Sequence, residues 1–313
     1  MYQPRHSSQS LTLPIRGVNY HLRIWGQPSS TLPPVFLLHG WMDVAASWQF
    51  VVDEWLDRMP APNQRLLIAP DWRGFGHSMP HPPVEAYNFQ DYLADLEVIL
   101  AHFVPEATTP VDLVGHSMGA NIVTAYAGIR PARVRKLVNL EGFGLPDSRP
   151  AQAPTRYAQW LDELAQLRQG ALQLKTYTGA QGVAQRLTKT NPRLSPDKAL
   201  WLAQHWAEPV AETNNQWRIL GDNAHKVVSA RLYRVDEILA IYQHITAPTL
   251  AIEASDNSLG QWFKHGEHSI EEHHRRLGHI RNCTIHTIAN AGHMVHHDQP
   301  QAVAQHLNHF LGA

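Results

Sequence analysis

VDLVGHSMGAN, residues 111–121, is the stretch on which the reading of this chain turns. A mostly apolar run, Val111 to Val114, enters Gly115-His116-Ser117-Met118-Gly119, and helical character follows. The pattern is Gly-x-Ser-x-Gly between a strand and a helix. A strand that enters a helix through one sharp residue strains the backbone there, and flanking glycines avoid clashes. A serine at that bend projects its hydroxyl from the strand's C-terminal end, where open parallel sheets bind ligands. The alternative is a plain turn that merely needs small residues, so the surrounding sequence has to discriminate.

Outward from this point, strands and helices alternate. SLTLPIRGVNYHLRIWG has two alternating runs around Arg16-Gly17 and reads as an antiparallel hairpin. PPVFLLHG and RLLIAPDWRGFG are short continuous apolar runs that end in glycine-bearing loops, as strands buried on both faces do. SWQFVVDEWLDRM and NFQDYLADLEVILAHFV have helical spacing, with Asn88 as the expected cap of the second. VRKLVNLEG, APTLAIEASD and CTIHTIANAGH read as further strands, and PQAVAQHLNHFL as a closing helix. This alternation predicts an α/β fold with a mostly parallel sheet covered on both sides. Between about residues 146 and 245 only helical periods are evident. The expected organisation is therefore a core of residues 1–145 and 246–313 with a helical cap inserted at 146–245. The cap is rich in aromatic residues, among them Trp160, Trp201 and Trp206. These three, with Trp41 and His116, are expected along a substrate pocket.

Composition narrows the function classes. With 313 residues, 43% hydrophobic and 17% charged, the chain can bury a sizeable core. A formal charge of −1 offers no basic excess for nucleic acid or an anionic membrane. No apolar run is long enough to span a bilayer, and the N-terminus lacks a secretion-signal pattern, so a cytoplasmic protein is expected. The single cysteine, Cys283, excludes an internal disulfide and a thiolate metal cluster. Histidine is abundant at 21 residues, with pairs at His273-His274 and His296-His297. No His-Glu-x-x-His signature accompanies them, so they read as surface histidines, and neither metal nor other cofactor is expected.

A serine hydroxyl needs a base. His293 lies directly after Ala291-Gly292, in the loop that follows the last strand, and is the candidate. The base needs an orienting carboxylate, and two close strands: Asp256 after APTLAIEAS and Glu141 after VRKLVNL. Both satisfy the chain order serine, acid, histidine. Acyl transfer also needs oxyanion donors. The Met118 amide follows the serine, and the Trp41 amide follows the glycine of LLHGWMD. Asp71 and Arg73 of DWRGFGHS read as loop residues that bond locally, and His39 as a loop-bonding residue and not the base.

Together LLHGWMD, DWRGFGHS, VGHSMG, PTLAIEASD and NAGHMVHHDQP resemble the α/β-hydrolase superfamily, in the expected order. They resemble its branch with an HG-x oxyanion loop and a helical cap, which includes esterases, epoxide hydrolases, haloalkane dehalogenases and cofactor-free haloperoxidases. The resemblance implies an eight-stranded, mostly parallel sheet with an antiparallel N-terminal strand. It implies Ser117 as nucleophile, His293 as base, and Trp41 and Met118 as oxyanion donors. The family commonly places its acid three residues beyond a glycine after the seventh strand. Here Ala254 replaces that glycine and Asn257 stands third, so Asp256 comes one position early. Asp256 is the expected acid, with Glu141 as the alternative. Because the nucleophile is serine and not aspartate, an acyl-enzyme is implied, hence a carboxylic ester hydrolase acting on small to medium, largely apolar esters. A perhydrolase or carbon–carbon hydrolase with the same residues is the alternative, and a non-catalytic receptor on this fold is a third. The oligomeric expectation is a monomer or homodimer.

Overall fold

The computed structural model describes residues 2–59, 64–211, 213, 215–263 and 268–312. Strands β1 (Gln9–Ile15) and β2 (Val18–Trp25) form the expected hairpin, with Ile15 opposite Val18 across the Arg16-Gly17 turn. They are followed by β3 (Val35–Leu38), α1 (Gln49–Arg58), β4 (Leu67–Pro70), α2 (Phe89–Phe103), β5 (Val111–His116), α3 (Met118–Ile129) and β6 (Val134–Leu140). After an inserted segment come β10 (Thr249–Ala254), α8 (Ser258–Trp262), α9 (Ile270–Leu277), β11 (Cys283–Ile288), α10 (Val295–Asp298) and α11 (Pro300–Gly312). The insertion holds α4 (Ala153–Arg168), β7 (Thr176–Thr178), α5 (Gly179–Thr190), α6 (Pro196–Trp206), β8 (Ala207–Pro209), β9 (Gln216–Ile219) and α7 (Val235–Gln243).

The main sheet has eight strands in the order β1-β2-β4-β3-β5-β6-β10-β11. All its pairings are parallel except those of β2 with β1 and with β4. Central strands are buried on both faces, which is why they read as unbroken apolar runs and not as alternations. Period-two side-chain alternation then sorts each strand between two cores. Phe36, Leu38, Leu113 and Leu137 pack with Leu96 and Ile99 of α2 and Ile122 and Val123 of α3. Leu37, Val114, Val138 and Ile252 pack on the other face with Val51 and Trp55 of α1 and Val303 and Leu307 of α11. Asn88 stands at the N-cap of α2 as expected, but its side chain makes no capping bond.

The insertion departs from the all-helical expectation. It contains a three-stranded antiparallel sheet in the order β7-β9-β8. These strands are three to four residues long, too short to leave a period in the sequence. Its last helix, α7, packs on the core helix α3. An added Cβ at Gly128 would sit 2.1 Å from the carbonyl oxygen of Ile241, so a side chain there would push the two helices apart. A third core joins the insertion to the rest: Val183, Leu194, Trp201 and Trp206 pack with Val44, Ala46 and Phe50. Trp206 also donates its indole N–H to the carbonyl of Met42, at 2.9 Å. Among the described residues, no helix is long and apolar enough to cross a membrane.

Candidate active site

The site begins at the bend between β5 and α3. Ser117 has φ 53° and ψ −117°, outside the regions that L-residues favour. Such a conformation costs on the order of 1–3 kcal/mol and persists only where the surroundings impose it. Here the Ser117 amide bonds the Leu140 carbonyl at 2.9 Å, and the Ser117 carbonyl receives the Asn121 amide at 3.0 Å. The bend works only because α3 starts hard against β3. A Cβ at Gly119 would lie 2.3 Å from the Leu38 carbonyl oxygen.

His293 bridges the serine to a carboxylate. Its Nε2 is 2.9 Å from Ser117 Oγ and its Nδ1 is 3.3 Å from Glu141 Oε2. Glu141 follows β6 directly and is 2% exposed. Its Oε1 accepts the Ala254 amide at 2.6 Å, and its Oε2 accepts the Ser258 hydroxyl at 3.0 Å. Burial pushes the Glu141 carboxyl up to about 8, against these two bonds, which pull it down. Burial likewise drives His293 down to about 3, opposed by the charge of Asp43. The loop that carries His293 is held by His116, whose Nε2 donates to the His293 carbonyl at 2.7 Å. Trp262 packs almost perpendicular to the His293 ring, with centroids 4.2 Å apart.

Asp256, the expected acid, does not meet His293. Its carboxylate forms a forked pair with Arg193 Nη1 at 2.8 Å and Nη2 at 3.3 Å, and its side chain is 37% exposed. The physical reason is local. The Asp256 amide bonds the Ala291 carbonyl and its own carbonyl receives the Ser258 amide. That turn carries its side chain outward to Arg193. Asn257, the residue at the family's usual spacing, caps α8 through the Gly260 amide at 2.8 Å.

Trp41 and Ser117 line one cavity of about 560 Å³, together with Met118, Phe143, Tyr233 and Trp262. A Cβ at Gly40 would come within 3.0 Å of Ser117 Cβ, so the loop bearing Trp41 lies against the serine. Among the described residues, neither the Trp41 nor the Met118 amide donates to a backbone acceptor.

Four expected pocket residues lie elsewhere. Trp201 and Trp206 are buried in the core that seats the insertion, and Trp160 on α4 is not part of the cavity wall. His116 is 1% exposed and faces inward. Large aromatics at helical spacing serve packing as readily as binding, and the sequence does not separate the two. Residues that do line the cavity went unremarked: Phe143 and Tyr233 lie in loops, and Trp262 in the five-residue α8. Their one visible signal is that Phe143 stands two positions past Glu141.

His39 bonds loop backbone, as expected, whereas Asp71 and Arg73, expected to bond locally, reach other segments of the chain. His39 Nδ1 bonds the Gly40 carbonyl at 2.8 Å, and its Nε2 receives the Trp72 amide at 2.8 Å. Asp71 accepts the Ala45 amide at 2.7 Å, and Arg73 clamps Asp95 with two bonds of 2.7 Å. The histidine pairs correct the surface reading: His273, His296 and His297 are all buried, at 3%, 0% and 4% exposure.

Comparison with known proteins agrees with the architecture. The chain is 23% identical over 256 residues to a serine hydrolase-like protein of Danio rerio, covering 80% of this chain and 73% of that one. It is 24% identical over 301 residues to a serine hydrolase-like protein of Dictyostelium discoideum, covering 94% and 79%. The thioesterase domain from the curacin biosynthetic pathway superposes with a TM-score of 0.79 at 24% identity, over 96% of this chain and 98% of that domain. A model of the alpha/beta hydrolase fold matches residues 33–300. The chain belongs to the α/β-hydrolase fold family.

Proposed function

We propose that the protein is a serine hydrolase that cleaves carboxylic esters through an acyl-enzyme. One observation carries this reading: His293 stands between the Ser117 hydroxyl and the buried Glu141 carboxyl, within reach of both. In this scheme Ser117 Oγ attacks the ester carbonyl while His293 Nε2 takes its proton. Glu141, not Asp256, orients the imidazole and balances the imidazolium that forms. The amides of Trp41 and Met118 hold the developing oxyanion, each contribution of this kind being worth about 10²–10³ in kcat. His293 returns the proton to the departing alkoxide, then draws a proton from water, whose oxygen attacks the acyl carbon; the acyl–Oγ bond breaks, His293 gives that proton to Ser117 Oγ, and the carboxylic acid leaves.

The cavity supports the substrate class. At about 560 Å³ it lies within the roughly 300–1,000 Å³ range of sites for drug-sized ligands. Its wall of Trp41, Phe143, Leu145, Tyr233, Trp262 and Phe263 suits an apolar acyl or alcohol group of small to medium size. The serine hydrolase-like relatives and the thioesterase-like fold are consistent with acyl transfer. A fluorophosphonate probe tests the chemistry. Intact mass should show a single adduct, mapped to Ser117, with loss of p-nitrophenyl ester turnover. An active preparation that takes no adduct at Ser117 overturns the proposal.

A further inference from the structure

Behind the serine–histidine pair lies a second group of polar side chains that the hydrolytic scheme does not use. Asp43, His116 and His296 are 5%, 1% and 0% exposed. One potential ligand atom from each lies within 4.8 Å of those of the other two. We propose that these three residues form a binding site for a first-row divalent metal ion, of which zinc fits best.

The argument rests on which atoms are left over. His116 Nε2 faces the His293 carbonyl at 2.7 Å, so that nitrogen carries the proton and Nδ1 presents a lone pair. Asp43 Oδ1 accepts the Val44 amide and the Ser47 hydroxyl, which leaves Oδ2 for another partner. His116 Nδ1, Asp43 Oδ2 and both nitrogens of His296 are buried without a hydrogen-bond partner. A buried polar atom without a partner is costly, and four in one place point to an occupant.

The chemistry of the donors selects the ion. Two imidazoles and one carboxylate suit zinc and its first-row neighbours, whereas magnesium and calcium require oxygen ligands. A ligating histidine that donates its other N–H to a backbone carbonyl is the usual outer-shell arrangement, and His116 already has it. Asp43 Oδ2 and His296 Nε2 are 3.8 Å apart. Tetrahedral zinc with bonds of 2.0–2.2 Å sets its ligands about 3.4 Å apart, so binding would draw these three donors, now within 4.8 Å of one another, closer together. The ligands come from the loop after β3, the end of β5 and α10. A bound ion would therefore tie together the three segments that position Trp41, Ser117 and His293, without touching substrate.

Metal content of the whole protein tests this. Because the ligands are buried, zinc is offered in two ways: by incubation of the folded protein, and by refolding from denaturant with zinc present. After gel filtration in metal-free buffer, elemental analysis should find stoichiometric zinc in at least one preparation. Cobalt in its place should give the visible absorption of a low-coordinate nitrogen–oxygen site. Asp43→Asn, which keeps Oδ1 for Val44 and Ser47, and His296→Gln should each weaken retention about tenfold or more. His274→Gln, which alters an exposed histidine on α9, should retain zinc as wild type does. Circular dichroism checks the fold of each variant, and if His296→Gln does not fold, Asp43→Asn and the cobalt spectrum decide. Substoichiometric zinc in both preparations, or equal retention by folded Asp43→Asn, overturns the proposal and leaves a buried water as the occupant.

Discussion

Glu141 and Asp256 stand at the ends of neighbouring strands, yet only Glu141 reaches His293, with its Oε2 3.3 Å from Nδ1. Asp256 turns the other way and pairs with Arg193 at 2.8 Å. The two carboxyls also differ in environment. Glu141 is almost wholly buried, whereas the Asp256 side chain is 37% exposed.

The Glu141 environment has a kinetic consequence. Burial raises Glu141 to about 8 and lowers His293 to about 3, so near neutrality the pair still holds one proton. Whichever member carries that proton, the competent form has lost it: His293 is then a free base beside a carboxylate. With an ester substrate, kcat/KM should rise with pH to a plateau above about 8. A profile already flat from pH 6.5 upward would count against this.

Stability should run the same way on the acid side, for a different reason. Burial lowers His116, His225 and His273 to about 3 and His205 to about 4, from an ordinary 6.5. Below 6.5 the unfolded chain takes up protons that these folded imidazoles refuse, so stability falls as pH falls toward about 3. Each fully shifted group contributes about 1.4 kcal/mol per pH unit. Glu141 opposes this, since its raised value makes the fold less stable as pH rises from 4.5 to about 8. Glu253 and Asp298, also raised by burial, act in the same sense as Glu141, but the lowered histidines outnumber these three carboxyls, so thermal melts should show a lower Tm at pH 5 than at pH 7.5. Equal or higher stability at pH 5 would refute the assignment.

The tryptophans should divide into two kinds. Trp206→Ala removes a buried ring and its bond to Met42, and should cost about 3–5 kcal/mol in denaturant unfolding. Trp41 is 56% exposed on the cavity wall. Trp41→Ala should leave stability within about 0.5 kcal/mol while raising KM for apolar esters. The reverse pattern would mean that the cavity is not where substrate binds.

Gly119→Ala should damage the site from behind. Its methyl would meet the Leu38 carbonyl oxygen at 2.3 Å, forcing α3 away from β3 and moving Ser117. Expected results are a lowered Tm and a kcat reduced by about 100-fold, since displacement of this order, about 1 Å, removes reactive alignment. Wild-type turnover would show that the contact is not structurally required.

Much of this arrangement was legible in the sequence because it rests on short-range signals. The G-x-S-x-G bend at Ser117, the doubly buried strands and the glycine before His293 are each written within a few residues. What was not legible depends on directions that spacing does not encode. Glu141 and Asp256 both follow strands in the right chain order. Only the turn geometry after β10, with the Asp256 amide on Ala291, sends one of them to the surface. Trp201 and Trp206 share helical spacing and aromatic character with a pocket wall, but face Phe50 and Val44 instead. His296 and His297 sit in a polar stretch, and only the tertiary fold buries them against Trp48 and Phe50.

The most direct measurement is turnover of one p-nitrophenyl ester by Glu141→Gln and Asp256→Asn, side by side and with folding verified. Glu141→Gln should lose about 10³–10⁴ in kcat, because the imidazolium of His293 is left without its buried partner. Asp256→Asn should keep kcat within about threefold and lose no more than about 1 kcal/mol of stability, because it breaks only an exposed pair. If Asp256→Asn abolished turnover while Glu141→Gln preserved it, the account of this site would be wrong.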